Sequence, residues 1–132
     1  KVKPKKEIST FFGEGVPLIR IDRRVDVAGQ FAMINHVFMS ETLFELVSPE
    51  LGDNTNLREL VARRLALPAV RIEELVGFAP LPTEVARLLG CEPASLGFVL
   101  ELHSYTEDEK PVYFQRIYAE PFEGSMLLLD TK

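Results

Sequence analysis

Apolar and polar residues alternate through several stretches of this chain, and elsewhere the apolar ones recur at helical spacing. Across residues 18–27, Ile19, Ile21, Val25 and Val27 fall on alternate positions, and an apolar run resumes over 30–39 after Ala28-Gly29. Period two marks a strand with one buried face, and a two-residue connection containing Gly supplies the positive φ that closes a hairpin. A second hairpin is predicted over 95–105 and 111–118, joined through Glu107-Asp108-Glu109-Lys110. That connection has no glycine, so a looser turn is expected. With Asp108 and Glu109 as turn residues, Glu101 lies opposite Arg116 and His103 opposite Phe114. Residues 69–78 read as a further strand with the row Val70, Ile72, Glu74, Val76 and Phe78, and 126–129 as a last edge strand after Gly124.

Helices fill the intervals. Ser40 is placed to cap a short helix with Leu43, Phe44 and Leu46 inward, closed near Ser48-Pro49. Over 56–65, Leu57, Leu60, Val61 and Leu65 share one face, Asn56 and Glu59 resemble a capping box, and Pro68 ends the run. A third helix over 81–89 has Pro82 in its first turn, Val85, Leu88 and Leu89 inward, and Gly90 at its stop. The sum is an α+β domain of five or six mostly antiparallel strands with helices covering one sheet face. Sliding the sequence by 80 positions lays residues 18–38 over 98–118, apolar on apolar and turn on turn. The hairpins are therefore read as internally duplicated. Arg23 and His103 coincide in that alignment, which predicts two unlike polar groups on related walls of one cavity.

At 132 residues and 46% hydrophobic, the chain suits one globular domain. No run of about 18 apolar residues occurs. With no apolar signal segment and a single cysteine, Cys91, a soluble cytoplasmic protein without disulfides is expected. Net charge is −5, and Lys1, Lys3, Lys5 and Lys6 hold four of the fifteen basic residues, so the body after them is more acidic still and repels nucleic acid. Residues 1–6 read as a linker to something upstream, or else as a basic arm, and 7–132 as the domain.

Little in the chain points to catalysis. His36 and His103 are far apart, no metal-ligand spacing, Gly-rich phosphate loop or nucleophile elbow occurs, and no metal or cofactor is expected. Cys91 reads as a small buried apolar residue. Polar groups inside apolar rows are the better signals. Arg23 sits in the row Ile19, Ile21, Val25, Val27, where a guanidinium needs an anionic partner: a ligand, or Glu74 or Glu101 in a structural bridge. Glu74 either lines a cavity or is turned outward by a β-bulge at Glu73-Glu74. Glu101 and Arg116 are predicted to form a cross-strand ion pair. His103 is a ligand contact or a packed residue, and Tyr113, Gln115 and Tyr118 donate hydrogen bonds or pack. Asn54-Thr55-Asn56 places hydroxyl and amide groups at a helix N-terminus, an arrangement that favours an anion, although capping needs only Asn56.

The ordered set IRIDRRVDVAGQFAMINHVF, NTNLREL, VGFAPLPTEVARLLG and Pro111-Val112 followed by Arg116 and Tyr118 resembles the UTRA domain, the effector-binding half of HutC-type GntR transcription regulators. The resemblance covers roughly residues 18–121. It implies a chorismate lyase-like fold, a six-stranded antiparallel sheet flanked by helices, with a small molecule held between sheet and helices. It also implies a fused N-terminal winged helix-turn-helix that contacts DNA, a homodimer, and no membrane. By position, the family's pocket arginine matches Arg23 and its polar helix start matches Thr55-Asn56. Val25 stands where sugar-phosphate sensors carry a second arginine, Asn35 where an acidic residue is frequent, and Tyr113 where Glu is frequent. A small carboxylate is therefore at least as plausible an effector as a phosphosugar, with Glu101, His103 or Arg116 at its other end. The alternative on the same fold is a lyase eliminating pyruvate from chorismate, with Arg23 on a carboxylate and Glu101 or Glu74 as general acid. A purely structural dimerisation module would instead have a filled core.

Overall fold

The computed structural model describes residues 6–27, 31–52, 55–66 and 71–120. Five strands, β1 (Leu18–Val27), β2 (Phe31–Ser40), β3 (Arg71–Pro80), β4 (Leu96–Tyr105) and β5 (Pro111–Ala119), alternate with helices α1 (Lys6–Phe12), α2 (Glu41–Val47), α3 (Leu57–Leu65) and α4 (Thr83–Leu89). All pairings are antiparallel, in the order β1-β2-β5-β4-β3. The two predicted hairpins thus lie side by side, and β1 and β3 form the edges. The Ala28-Gly29 turn, Asn54, Pro68 and the strand expected at 126–129 fall outside the described residues.

Capping follows the sequence signals. Ser40 Oγ accepts from the Leu43 N–H at 3.1 Å, Asn56 Oδ1 accepts from the Glu59 N–H at 3.1 Å, and Gly90 ends α4 in the left-handed region. Gly97 is required by a close approach: a Cβ there would lie 2.4 Å from Leu81 Cδ2 and 2.7 Å from the Ala119 carbonyl oxygen.

Helices cover both faces of the sheet, where one covered face was expected. Ile21, Val37, Met39 and Tyr113 project to a front face, packed by Leu43 and Val47 of α2 and Leu57, Leu60 and Val61 of α3. On the back, Ile34 and Tyr118 lie under Val85, Ala86 and Leu89 of α4, and Phe38 and Phe114 under Ile8 of α1. The cause is that β2 and β5 are apolar on both sides, and a central strand of that kind must be covered twice. The unexpected element is α1, whose Ile8, Phe11 and Phe12 stand at helical spacing.

The turns also differ from expectation. Val27 pairs with Phe31, leaving three residues between them rather than two. The Thr106 N–H likewise donates to the Lys110 carbonyl, and Glu109 takes the left-handed φ of 63° that glycine usually supplies. Ser104 pairs with Tyr113 but Tyr105 pairs with Pro111, so Val112 is an extra residue in a β-bulge. This bulge restores the expected pairings of Glu101 with Arg116 and His103 with Phe114.

The same bulge corrects the equivalence of Arg23 and His103. Asn35 pairs with Arg23, whereas Gln115, its counterpart 80 positions on, pairs with Leu102. Arg23 therefore corresponds to Leu102, and His103 to Arg24. A slip of one residue reverses the face a strand residue points to. Arg23 is on the front and His103 on the back, so they do not wall one cavity. No bulge occurs at Glu73-Glu74 either, because β3 pairs with β4 without interruption from Arg71 to Pro80.

Candidate functional site

On the front face, Arg23 of β1 stands beside Asn35 of β2, and the row continues through Ile117, Leu100 and Val76. The Arg23 guanidinium leaves the sheet for the loop before α3, donating from Nη1 to the Thr55 carbonyl at 3.2 Å and from Nη2 to the Gly52 carbonyl at 2.9 Å. Thr55 closes that loop. Its Oγ1 accepts from the Gly52 N–H at 2.7 Å and donates to the Glu50 carbonyl at 3.3 Å. Asn56 is committed to capping α3. A guanidinium carries five N–H donors, and carbonyl oxygens bring no countercharge, so among the described residues these two bonds leave both donors and charge available.

Asn35 is only 7% exposed, and its Oδ1 has no hydrogen-bond partner among the described residues. An unmet buried acceptor costs roughly 1–3 kcal/mol, and this one stands on β2 at the position paired with Arg23. Neither carboxylate expected to bridge to Arg23 is near it. Glu74 shares the front face but lies on β3, four strands away, about 19 Å at a strand spacing of about 4.8 Å. Glu101 is on the other face. Tyr113 is core: it is 2% exposed under α2 and α3, and burial pushes its phenol up to about 12.

Glu101, His103 and Arg116 come together on the back. Arg116 donates from Nε to Glu101 Oε2 at 3.0 Å and from Nη2 to Glu7 Oε1 of α1 at 3.0 Å. His103 Nε2 lies 3.0 Å from Glu101 Oε1, and its ring stacks on Phe114 with centroids 4.5 Å apart. Each charge in this cluster has a partner, which makes it a brace between α1 and the sheet. Glu7 was missed because nothing in an exposed glutamate of a short helix announces a partner 109 residues away. The first hairpin fills the matching slots with His36 and Asp22, 3.7 Å apart. Cys91 is half-buried, and burial raises its thiol pKa, the opposite of what a nucleophile needs. Among the described residues no group of three or more His, Cys, Asp or Glu is placed to hold a metal, and no helix is long and apolar enough to cross a membrane.

The profile of the UTRA domain matches residues 1–121. The chain belongs to the UTRA domain family. No curated protein matches it in sequence. Solved structures share the UTRA fold at low identity. The C-terminal domain of Yurk from Bacillus subtilis superposes with a TM-score of 0.75 at 13% identity, covering 89% of this chain and 82% of that one. The ligand-binding domain of a protein assigned to the GntR family of transcriptional regulators, from Bordetella bronchiseptica, gives 0.69 at 21%, covering 94% and 85%. PhnF from Mycobacterium smegmatis gives 0.72 at 15%, covering 96% of this chain but 58% of the PhnF chain.

Proposed function

We propose that this UTRA domain is the effector-binding part of a GntR-type transcription regulator and that it takes a small anionic metabolite at Arg23 and Asn35. The observation that carries the reading is the Asn35 Oδ1, without a partner among the described residues, at the position paired with Arg23, whose guanidinium is held only by carbonyls among its described hydrogen bonds. A carboxylate accepts from the remaining Arg23 N–H groups but cannot satisfy an acceptor. The effector therefore also carries a hydroxyl or amino donor near its carboxylate. Thr55 and the start of α3 form the wall over that end.

The regulatory reading extends to an upstream winged helix-turn-helix that meets DNA, with the domain acting as a homodimer in the cytoplasm. Binding carries a signal only if the effector prefers one arrangement of the domain over another. The helix nearest such an upstream domain is α1, and the Glu7–Arg116 bond ties it to the strand next to β2, which bears Asn35.

Catalysis is not part of this reading. A lyase would need an acid within reach of the group bound by Arg23, and Glu74 and Glu101 are respectively four strands away and on the opposite face. The test is a thermal-shift screen with small hydroxy and amino carboxylates, followed by calorimetry on the chain and on Arg23→Ala. A hit whose affinity is unchanged in the variant removes Arg23 from the site. Steady release of pyruvate from chorismate would overturn the sensor reading in favour of an enzyme.

A further inference from the structure

We infer that the effector held at Arg23 and Asn35 carries a hydrocarbon tail, laid across the front of the sheet over Ile117 and Leu100 toward Val76. This rests on the reading proposed above and narrows its ligand class to an amphipathic carboxylic acid.

Among the described residues the helices cover only half of the front face. Helices α2 and α3 pack on Val37, Met39 and Tyr113, which lie toward the start of β1. Toward the end of β1 the row Arg23, Asn35, Ile117, Leu100 and Val76 crosses the sheet, and the next row ends in Phe98 and Phe78. Ile117 and Leu100 are half-buried, Val76 is 54% exposed, and Phe78, 75% exposed, meets Phe98 edge-on with ring centroids 5.9 Å apart. The core clusters of the described residues include none of Ile117, Leu100 and Val76. This half of the face is therefore an apolar strip that starts at a cation.

The two parts of the strip say what lies on it. At the β1 end, the Arg23 guanidinium has only carbonyl oxygens among its described hydrogen-bond partners, and Asn35 Oδ1, at the paired position, has none among the described residues. Past Asn35 the row holds no polar side chain. It reaches Leu100 after two strand spacings, about 10 Å, and Val76 after three, about 14 Å. A molecule that suits both parts has one anionic end with a donor near it and an apolar remainder of that length. A phosphosugar suits only the first. Each hydroxyl laid over Ile117 or Leu100 would leave water for a side chain with no donor or acceptor, whereas each methylene there is taken out of water at a gain. Thr55 and the start of α3 stand over the Arg23 end, so the tail runs away from them along the row.

The test is calorimetry on the unmodified chain with straight-chain α-hydroxy acids of increasing length, beginning with lactate. A methylene lying on the sheet with its other side in water gains about half of what full burial gives, so affinity is expected to rise about twofold for each one added. The rise is expected to level off once the tail has run past Val76. Leu100→Asn, checked for an unchanged circular dichroism spectrum, is expected to flatten the dependence on length, and Arg23→Ala to weaken every member of the series by about 10- to 100-fold. Affinity that does not vary with length but still requires Arg23 overturns the tail and leaves the sensor reading standing; that is the result if another protein or a second copy of the chain lies on the strip. Tightening with length that persists in Arg23→Ala is adsorption without the head group and overturns the inference, as does a dependence on length that Leu100→Asn leaves intact. A series in which no member binds removes the head-group site and the tail together.

Discussion

Arg23 and Arg116 are both arginines in largely apolar sheet rows, yet their surroundings are opposite in charge. Arg116, 9% exposed, is met by Glu101 from the neighbouring strand and by Glu7 from α1, with His103 holding the far oxygen of Glu101. Its charge is cancelled inside the protein. Among the described residues Arg23 reaches the Gly52 and Thr55 carbonyls, which orient it without neutralising it, and the asparagine at the paired position of β2 has a side-chain oxygen with no partner. An arginine is a brace when acids converge on it from two elements, and stays open to an anion, the role proposed for Arg23, when neutral dipoles hold it in place.

The sharpest break between the two comes from truncation. Arg116→Ala strands Glu101 against His103 and frees Glu7, and is expected to cost about 3 kcal/mol, or roughly 10 °C in melting temperature. A loss under about 1 kcal/mol by chemical denaturation would strip the cluster of its bracing role. Arg23→Ala is expected to change stability by no more than about 1 kcal/mol while lowering effector affinity by about 10- to 100-fold, and Arg23→Lys to recover part of it, because the charge stays and the fork is lost. Equal effects on stability in the two alanine variants would erase the distinction.

Smaller changes sharpen it further. Asn56→Ala removes the side-chain cap from α3, whose leading loop supplies the carbonyls that hold Arg23, and is expected to cost about 1 kcal/mol in urea titrations. The smallest effect concerns His36, the first hairpin's counterpart of Arg116. Burial lowers its pKa below the ordinary value near 6.5, with Asp22 opposing. A depressed folded-state pKa means that the unfolded chain binds the proton first, so stability is full above about pH 6.5 and declines as pH falls below it. The expected readout is a melting temperature that drops from pH 7.5 to 5.5 less steeply in His36→Gln than in the unchanged chain. Identical slopes would show that His36 is not the group responsible.

Much of this was legible beforehand because local chemistry agreed with the final packing. The α3 helix carries its cap and apolar face in plain order, and the Glu101–Arg116 pair follows from counting along a hairpin. In α4 the Gly90 stop holds, but Leu88, expected inward, is 41% exposed and Ala86 is buried beside Val85 and Leu89 in its stead. What escaped was non-local or subtle by one residue. The α1 helix is seven residues long and led by lysines, and its apolar face is recognisable only against Phe38 and Phe114. Val112 has the character of any strand residue, so nothing in its type marks a bulge. Arg23 stood out as a cation in an apolar row, but its partners are backbone carbonyls about 30 positions on, and every residue type has one. That Asn35 Oδ1 has no partner among the described residues is a property of space and not of sequence.

The extra residue at Val112 decides which side chain meets Arg116. Continuing the register of the Tyr105–Pro111 pair along the hairpin would set Arg116 opposite Leu100, and the guanidinium would be buried against a hydrocarbon. One residue of slack beside the turn moves the pairing on by one, so that Glu101 takes that place and the carboxylate reaches the charge. The electrostatics of the back face are thus set by the count of residues near a turn some 15 Å away along the strand, at roughly 3.4 Å per residue.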